Sequence, residues 1–400
     1  MLRPLHNWSI AEQMTSSRFL FSNGVVLRSS DVPPITTFLE SHPGAYTTTR
    51  THNGASSLLF WERHVKRLAE SIRILLESAP KLLFRPNNAS LSLPLSLPVT
   101  SLMWESAVRA LVDGSMKKVL PIVMNERNGG EELSVTVLVS GNSERLGRIG
   151  KVGEERLSEA LDVHVYVWGY VPRAFSVRGN GARVAVAGRG RDVANAKYSD
   201  WVRLRKHLEK LRPPSVTELL LSNDGDQILE GCVTNFFAVC RKDKDEAEGN
   251  SSRDHGSACA FEVQTAPIRD SVLPGIIRQI VMEFPHLLTR EVFEAFSYVH
   301  KSSAGKVCLS LGIPFREVAP SWSKHKIWEE AFITNSLRLL EHVETIQAPS
   351  SWESLNSKTW EEISWEEKRF EDGAGMITTI IQKGIMEKVI LEGFPLGDAV

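Results

Sequence analysis

The chain has 400 residues, of which 42% are hydrophobic and 24% are charged, and its formal net charge is −1. This is the composition of a globular protein with room for two domains. The balanced charge excludes an overall basic excess of the kind that draws nucleic acid, and no segment approaches the roughly 18 apolar residues of a membrane span. We therefore expect neither a nucleic-acid partner nor a membrane partner.

The four cysteines are Cys232, Cys240, Cys259 and Cys308. They form no C-x-x-C pair and no cluster with zinc spacing, so we expect no metal site. Four thiols in a chain of this length do not make a disulfide framework, which favours a reducing, intracellular compartment. The first residues have neither the apolar core of a signal peptide nor the basic composition of a transit peptide, so we expect the cytoplasm rather than an organelle.

The first half of the chain mixes helical and extended patterns. Val65, Leu68, Ile72 and Leu75 recur at helical spacing, and "MWESAVRALVDG" predicts a second helix that stops at its glycine. "ELSVTVLVS" and "LDVHVYVWGYV" predict two strands with an exposed loop between them. Residues 82–99, rich in Ser, Pro and Leu, predict an irregular insertion.

The second half repeats this mixture after a stretch rich in Pro, Gly and Arg. That stretch predicts a linker, and we place a domain boundary near residue 175. "NDGD" predicts a hairpin turn between two strands, and the polar residues 241–258 predict a solvated loop. We expect a two-domain α+β or α/β fold with domains at 1–175 and 176–345. A C-terminal extension at 346–400 is expected to contribute a surface helix.

Two polar residues stand out against apolar surroundings. Lys197 in "ANAKYSDW" is, by itself, best explained as a solvated surface lysine, but burial disfavours the ammonium and leaves a nucleophilic amine. Glu230 in "ILEGCVTNF" is, by itself, best explained as a turn residue. A buried carboxylate must pair with a cation or stay protonated, and a protonated pyridine nitrogen is one such cation.

Three further pieces suit a phosphate. In "LPGIIR" the backbone amides of Ile276 and Ile277 begin a predicted helix, where N–H groups lack partners within the helix. Arg67 in "HVKRL" offers a fork of donors, and Ser336 in "FITNS" offers a hydroxyl and an amide. Each piece alone is more often structural or solvated. Together with Lys197 and Glu230 they supply the parts of a pyridoxal phosphate site.

The order "HVKRL", "AK", "LEG…TNFF", "LPGIIR" and "FITNS" resembles the class IV aminotransferases, which are the fold-type IV pyridoxal phosphate enzymes. This family includes branched-chain aminotransferases, D-amino acid aminotransferases and aminodeoxychorismate lyases. The resemblance runs from about residue 50 to residue 345. It implies a small N-terminal α/β domain, a larger C-terminal α/β-barrel-like domain and, in most members, a homodimer.

The resemblance also implies roles for individual residues. Lys197 would hold the cofactor as an imine and move a proton, and Glu230 would pair with the pyridine nitrogen. The phosphate would be bound by Arg67, the amides of Ile276 and Ile277, and Ser336. Asn235 would brace the turn at Glu230. The implied activity is the transfer of an amino group between an amino acid and a 2-keto acid.

Two segments depart from the family pattern. The chain reads "KYSDWVR" after Lys197, where relatives often have an asparagine, and "EHV" at residues 341–343, where relatives often have "TPV". Two alternatives therefore stay open beside the aminotransferase. One is a lyase of the aminodeoxychorismate type that uses the same cofactor, and the other is a non-catalytic scaffold or binding protein with the same fold.

Overall fold

The structure, a computed structural model, describes residues 18–28, 31–84, 101–127, 129–149, 158–242, 261–284, 313–353 and 355–396. Two compact units divide the chain. Unit 1 comprises Met1–Pro172, Ala196–Arg203 and Glu392–Val400. Unit 2 comprises Arg173–Asn195 and Leu204–Leu391. The chain thus first passes between units near the expected boundary at residue 175, and residues 346–391 of the expected extension belong to unit 2.

The strands are Arg18–Ser22 (β1), Val25–Arg28 (β2), Ala45–His52 (β3), Ser57–Leu58 (β4), Glu132–Gly141 (β5), Leu161–Tyr170 (β6), Ala182–Val186 (β7), Glu218–Ser222 (β8), Ile228–Gly231 (β9), Asn235–Arg241 (β10), Phe261–Thr265 (β11), Phe315–Glu317 (β12), Trp328–Asn335 (β13), Leu339–Pro349 (β14), Trp365–Arg369 (β15) and Phe394–Pro395 (β16). The α-helices are Ile35–Ser41 (α1), Trp61–Ser78 (α2), Ser101–Glu126 (α3), Ser143–Ile149 (α4), Trp201–Leu204 (α5), Ile276–Glu283 (α6) and Met376–Leu391 (α7).

Unit 1 is built on a seven-stranded antiparallel sheet. Its strands lie in the order β16-β4-β3-β5-β6-β1-β2. The inner positions of β5 are all buried, so both faces of this central strand are covered. Helix α2 packs on β3 and α3, and it buries Val65, Leu68, Ile72 and Leu75. The predicted helix and the two predicted strands of this half are therefore confirmed.

The second predicted helix was wrong at its end. It was expected to stop at Gly114, but α3 continues through Gly114 and Pro121 to Glu126. Its buried face packs against α2, where the Trp104 Nε1–H donates to the Ala69 carbonyl oxygen at 3.0 Å. A glycine inside a helix costs about 1 kcal/mol, which such packing readily offsets.

The loop expected between β5 and β6 contains the short helix α4. Asn142 caps the N-terminus of this helix, because its side-chain oxygen accepts the Arg145 N–H at 3.0 Å. An asparagine before the first helical residue satisfies one of the amides that lack partners at a helix start. The exposed loop predicted here therefore includes a helical segment, and its residues 150–157 lie outside the described residues. Most of the predicted insertion at 82–99 and of the predicted polar loop at 241–258 lies outside the described residues.

Unit 2 contains a closed, barrel-like sheet. Strands β10, β13, β14, β7, β8 and β9 pair in that order, and β9 pairs again with β10. Strands β11 and β12 extend the sheet from β10, and β15 pairs with β14. The barrel strands share one core, which includes Val184, Leu220, Phe236, Ile333 and Val343. The expectation of a mixed α/β fold with a barrel-like second domain is confirmed.

The expected surface helix of the tail is α7, and the tail also supplies the strand β15. Helix α7 packs on α6, β13 and β14, and it buries Ile377, Ile380, Ile381 and Ile385. Its last residue, Leu391, is 76% exposed. Among the described helices, none is both long and apolar enough to cross a membrane.

Candidate active site

Lys197 is fixed in unit 1 by its backbone. Its N–H donates to Ser71 Oγ at 3.1 Å, and its carbonyl oxygen accepts the Tyr46 N–H at 2.9 Å. Tyr198 next to it forms a β-bridge with Ala45 at the start of β3. The short excursion Ala196–Arg203 thus lies along β3 and α2, and the position of Lys197 does not depend on its own side chain.

Arg67 belongs to a buried polar cluster on the same two elements. Its Nη2–H donates to Thr47 Oγ1 at 2.8 Å, and the same hydroxyl lies 2.7 Å from His64 Nδ1. All three side chains are buried. His64 precedes Arg67 by three residues, so both lie on one face of α2, and Thr47 lies on β3 opposite that face.

His64 connects this cluster electrostatically to Lys197. Burial, followed by the positive charges of Arg67 and Lys197, lowers the pKa of His64 well below its usual value, so the imidazole is neutral. The ammonium of Lys197 lies 4.6 Å above the Tyr46 ring, within cation–π range. Unit 1 therefore brings together two of the predicted site residues, Arg67 and Lys197, around a buried neutral histidine.

Glu230 is buried in unit 2 and paired with an arginine that the sequence analysis did not single out. Its side chain is 2% exposed, and Oε1 accepts bonds from Arg191 Nε at 2.9 Å and Arg191 Nη2 at 2.7 Å. Its Oε2 accepts the Leu273 N–H at 3.0 Å. A carboxylate oxygen has two acceptor directions, so Oε2 can take a second donor. Glu230 is therefore a buried, charge-balanced carboxylate rather than a solvated turn residue.

Leu273 links the Glu230 motif to the "LPGIIR" motif. Its N–H donates to Glu230 Oε2, and its carbonyl oxygen accepts a hydrogen bond from Asn235 Nδ2 at 3.0 Å. Asn235 is the cross-strand partner of Glu230. A Cβ at Gly275 would lie 2.1 Å from Asn235 Oδ1, so only glycine lets the chain pass this close. Asn235 therefore braces the segment that leads into α6, beside the turn that it was predicted to brace.

The predicted phosphate-binding residues of unit 2 lie at this end of the barrel. Helix α6 begins at Ile276 directly after Gly275, and Ile276 and Ile277 are its first two residues. Thr334 is the cross-strand partner of Asn235, and Ser336 follows two residues later in the β13–β14 turn. The buried Thr334 hydroxyl has no hydrogen-bond partner among the described residues.

Glu218, on β8, supports the turn that follows Glu230. Its Oε1 accepts the Val233 N–H at 3.2 Å, within the tight turn between β9 and β10. Burial raises the pKa of Glu218 to about 7, against the opposing effects of Arg338 and Arg205. This carboxyl is therefore partly protonated near neutral pH.

The protonation of Glu218 predicts a pH dependence of stability. The pKa is raised from 4.5 to about 7, so the folded state binds more protons than the unfolded chain between these pH values. The stabilisation that comes from the protonated Glu218 carboxyl is complete below pH 4.5 and is lost as the pH rises to about 7. We expect the free energy of unfolding, measured in urea relative to Glu218→Gln, to fall by about 3 kcal/mol across this window.

A matched control for this measurement is Glu366→Gln, which changes an exposed glutamate of β15 in the same unit. The difference between the wild-type chain and this control variant should stay nearly constant over the same pH range. A constant difference between the wild-type chain and Glu218→Gln would contradict a titrating Glu218.

The site residues thus fall into two groups. Unit 1 holds Arg67 and Lys197, and unit 2 holds Glu230, the start of α6 and Ser336. Sequence reasoning missed Thr47, His64 and Arg191, which interact with these residues, and Glu218, which accepts the Val233 N–H in the turn after Glu230. A signal existed for Arg191, since a buried Glu230 requires a cation. Within the described residues, no group of three or more His, Cys, Asp or Glu side chains could hold a metal ion.

Comparison with known proteins identifies the family. The model of the amino-transferase class IV family matches residues 44–292, which is more than half of the chain. The chain belongs to the class IV aminotransferase family. Its members are pyridoxal phosphate enzymes, as the order of motifs implied. No curated protein sequence gives a significant match.

Solved structures of aminotransferases share the fold. The Escherichia coli branched-chain amino acid aminotransferase has 15% identity and a TM-score of 0.51, over 93% of this chain and 94% of that one. A Brucella abortus aminotransferase bound to PLP has 12% identity and a TM-score of 0.51, over 94% and 99%. A hypothetical aminotransferase from Mycobacterium tuberculosis, in its PLP-bound form, has 13% identity and a TM-score of 0.51, also over 94% and 99%. The fold-type IV expectation is confirmed.

The residues present fit pyridoxal phosphate. In unit 1 the buried His64 Nε2 has no partner among the described residues, and Arg67 and Lys197 surround this imidazole with positive charge, which suits a phosphate-bearing ligand. In unit 2 an unsatisfied hydroxyl at Thr334 accompanies the helix start. Glu230 keeps an acceptor direction for a ring N–H.

Proposed function

We propose that the chain is a pyridoxal-phosphate-dependent aminotransferase that moves an amino group between an amino acid and a 2-keto acid. The observation that supports this proposal most directly is that the amine of Lys197 and the guanidinium of Arg67 both act on the buried, neutral His64. Family membership supports aminotransferase chemistry in general. Substrates of the amino acid and keto acid classes, a homodimer and an intracellular location are parts of the same proposal.

Pyridoxal phosphate, when bound, acts as an electron sink that stabilises a carbanion at the substrate carbon. Lys197 supplies the amine that holds the cofactor and then carries a proton to and from the reacting carbon. Its backbone bonds to Ser71 and Tyr46 fix the part of the chain from which that amine extends. Arg67 binds the phosphate and is oriented by Thr47.

In unit 2, Glu230 would pair with the pyridine nitrogen, and Arg191 holds its Oε1 in place. Because Arg191 pairs with Glu230, both side chains can stay buried without an unbalanced charge. The amides of Ile276 and Ile277 and the Ser336 hydroxyl are the donors that unit 2 would offer to a phosphate. Helix α6, which begins at Ile276, is held in place by the bonds of Leu273 to Glu230 and Asn235.

The test of this function is a half-reaction screen. The purified chain, supplied with pyridoxal phosphate, should show the visible absorbance of lysine-bound cofactor, and amino acids that are substrates should remove it. Release of a keto acid, with transfer of the amino group to a second keto acid, supports an aminotransferase. Release of pyruvate from aminodeoxychorismate supports a lyase. A chain that binds cofactor but reacts with no L- or D-amino acid would contradict the proposal and favour a non-catalytic binding protein.

A further inference from the structure

Three buried side chains on β3 and α2 form a continuous hydrogen-bonded chain that ends at Arg67. His64 Nδ1 lies 2.7 Å from Thr47 Oγ1, and Arg67 Nη2–H donates to the same oxygen at 2.8 Å. His64 is 0% exposed, Thr47 is 1% exposed and Arg67 is 7% exposed. The Thr47 hydroxyl therefore stands between an imidazole and the guanidinium that the proposed function assigns to a phosphate.

The direction of the two bonds follows from the donors and acceptors present. A guanidinium has donors only, so Thr47 Oγ1 accepts from Arg67. A hydroxyl has a single proton to donate, and His64 Nδ1 is the only side-chain acceptor among the described contacts of this hydroxyl. Thr47 therefore donates to His64 Nδ1, and the imidazole carries its own proton on Nε2.

This direction requires a neutral imidazole. An imidazolium carries a proton on both ring nitrogens, so it could not accept a hydrogen bond from Thr47. Burial, followed by the positive charges of Arg67 and Lys197, lowers the pKa of His64 well below its usual value. The surroundings of His64 therefore keep its Nδ1 available as an acceptor at neutral pH.

The backbone at Arg67 is held by other contacts. Its carbonyl oxygen accepts Ser71 Oγ–H at 2.9 Å, and Ser71 Oγ in turn accepts the Lys197 N–H at 3.1 Å. These bonds do not involve Thr47 or His64. Loss of the His64 acceptor would therefore leave the backbone of α2 in place and change the direction in which the guanidinium points.

We propose that His64 is a positioning residue that fixes the Thr47 hydroxyl with its acceptor side toward Arg67, and thereby holds the guanidinium in the direction needed to bind a phosphate. A donor that is already oriented loses less side-chain entropy when it binds, and a guanidinium needs a definite orientation to match phosphate oxygens. Because Arg67 meets a phosphate only under the proposed function, the inference rests on that function.

The test compares two ligands that differ only in the phosphate, which are pyridoxal phosphate and pyridoxal. Each is titrated into the full chain after dialysis to remove cofactor, and binding is followed by the visible absorbance of the lysine-bound compound. His64→Leu should lower the ratio of the affinity for pyridoxal phosphate to that for pyridoxal by roughly fivefold or more, because a charged hydrogen bond to the phosphate is weakened. A general packing defect would weaken both ligands alike and leave this ratio unchanged.

Two further variants test the route through Thr47. In His64→Asn the side-chain oxygen is as many bonds from Cα as Nδ1 is, so it can accept from Thr47, and the ratio should stay within about twofold of the wild-type value. Thr47→Val should lower the ratio as much as His64→Leu does. The double variant Thr47→Val/His64→Leu should show no further loss, whereas losses that multiply would show that His64 does not act through Thr47.

The matched control is Thr49→Val. Thr49 lies two residues after Thr47, on the same face of β3, is also fully buried, and donates from Oγ1 to the Leu59 carbonyl oxygen at 2.8 Å. Its replacement should change the affinity ratio by less than about twofold, because it has no part in the chain to Arg67. An equal fall in the ratio in Thr49→Val would overturn the proposal.

Failure of this inference is distinct from failure of the proposed function. A wild-type chain that binds pyridoxal phosphate, with a ratio that His64→Leu leaves unchanged, overturns the role of His64 and leaves the proposed function standing. A wild-type chain that binds neither compound contradicts both.

Discussion

Replacement of Lys197 by alanine is expected to leave a folded protein that holds no covalently bound cofactor. Borohydride reduction followed by peptide mass spectrometry should find the pyridoxyl group on Lys197 in the wild-type chain and on no lysine in the variant. The rate of amino transfer should fall by roughly 10²–10⁴-fold, because the variant lacks the base that moves the proton. The fold should survive, since the bonds of residue 197 to Ser71 and Tyr46 involve its backbone.

The control for this experiment is Lys66→Ala. Lys66 is an exposed lysine of α2, next to Arg67 in the chain, and its replacement removes the same charge from the same unit. This variant should keep both the cofactor adduct and the rate. A variant at Lys197 that still transfers amino groups at a rate near that of the wild-type chain would show that another residue performs this step.

Replacement of Glu230 by glutamine is expected to destabilise the chain by about 3–5 kcal/mol. The variant leaves Arg191, whose side chain is 5% exposed, with a buried charge and no carboxylate at its Nε and Nη2 donors. Removing one partner of a buried pair is more destabilising than removing both. The double variant Arg191→Gln/Glu230→Gln should therefore recover part of the lost stability, measured by denaturant unfolding.

An exposed ion pair of the same unit supplies the control. Arg178 and Asp372 are 84% and 70% exposed, so Asp372→Asn should change stability by about 0–1 kcal/mol. A similarly small effect of Glu230→Gln would mean that the buried pair contributes little. If the double variant is stable yet binds no cofactor, the Arg191–Glu230 pair has a role in ligand binding beyond its structural one.

Local sequence patterns were sufficient to predict many of the helices and strands. The β-branched alternation of β5 and β6 and the helical spacing in α2 reflect short-range geometry, which a single sequence records directly. The end of helix α3 was misjudged because Gly114 is a local signal to stop, whereas the continuation of the helix depends on packing against α2. Packing between distant segments is not visible in a local pattern.

The candidate site shows the same limit. Motif order placed Lys197, Glu230 and the helix start in one family, but the partners of these residues are distant in sequence. Arg191 precedes Glu230 by 39 residues. His64 pairs with Thr47, 17 residues earlier, on another element. Pairings of this kind follow from strand register and helix packing, which the sequence does not display.

The contacts of Leu273 have a consequence for how this part of the chain can vary. Both of its bonds, to Glu230 and Asn235, use backbone atoms, so the identity of the side chain at 273 does not affect them. Proline is the exception among the amino acids, because it alone has no N–H to donate. The chain between β10 and β11 can also change in length without moving α6, since the helix start is tied directly to the strands. Position 273 can therefore keep both bonds with every amino acid except proline.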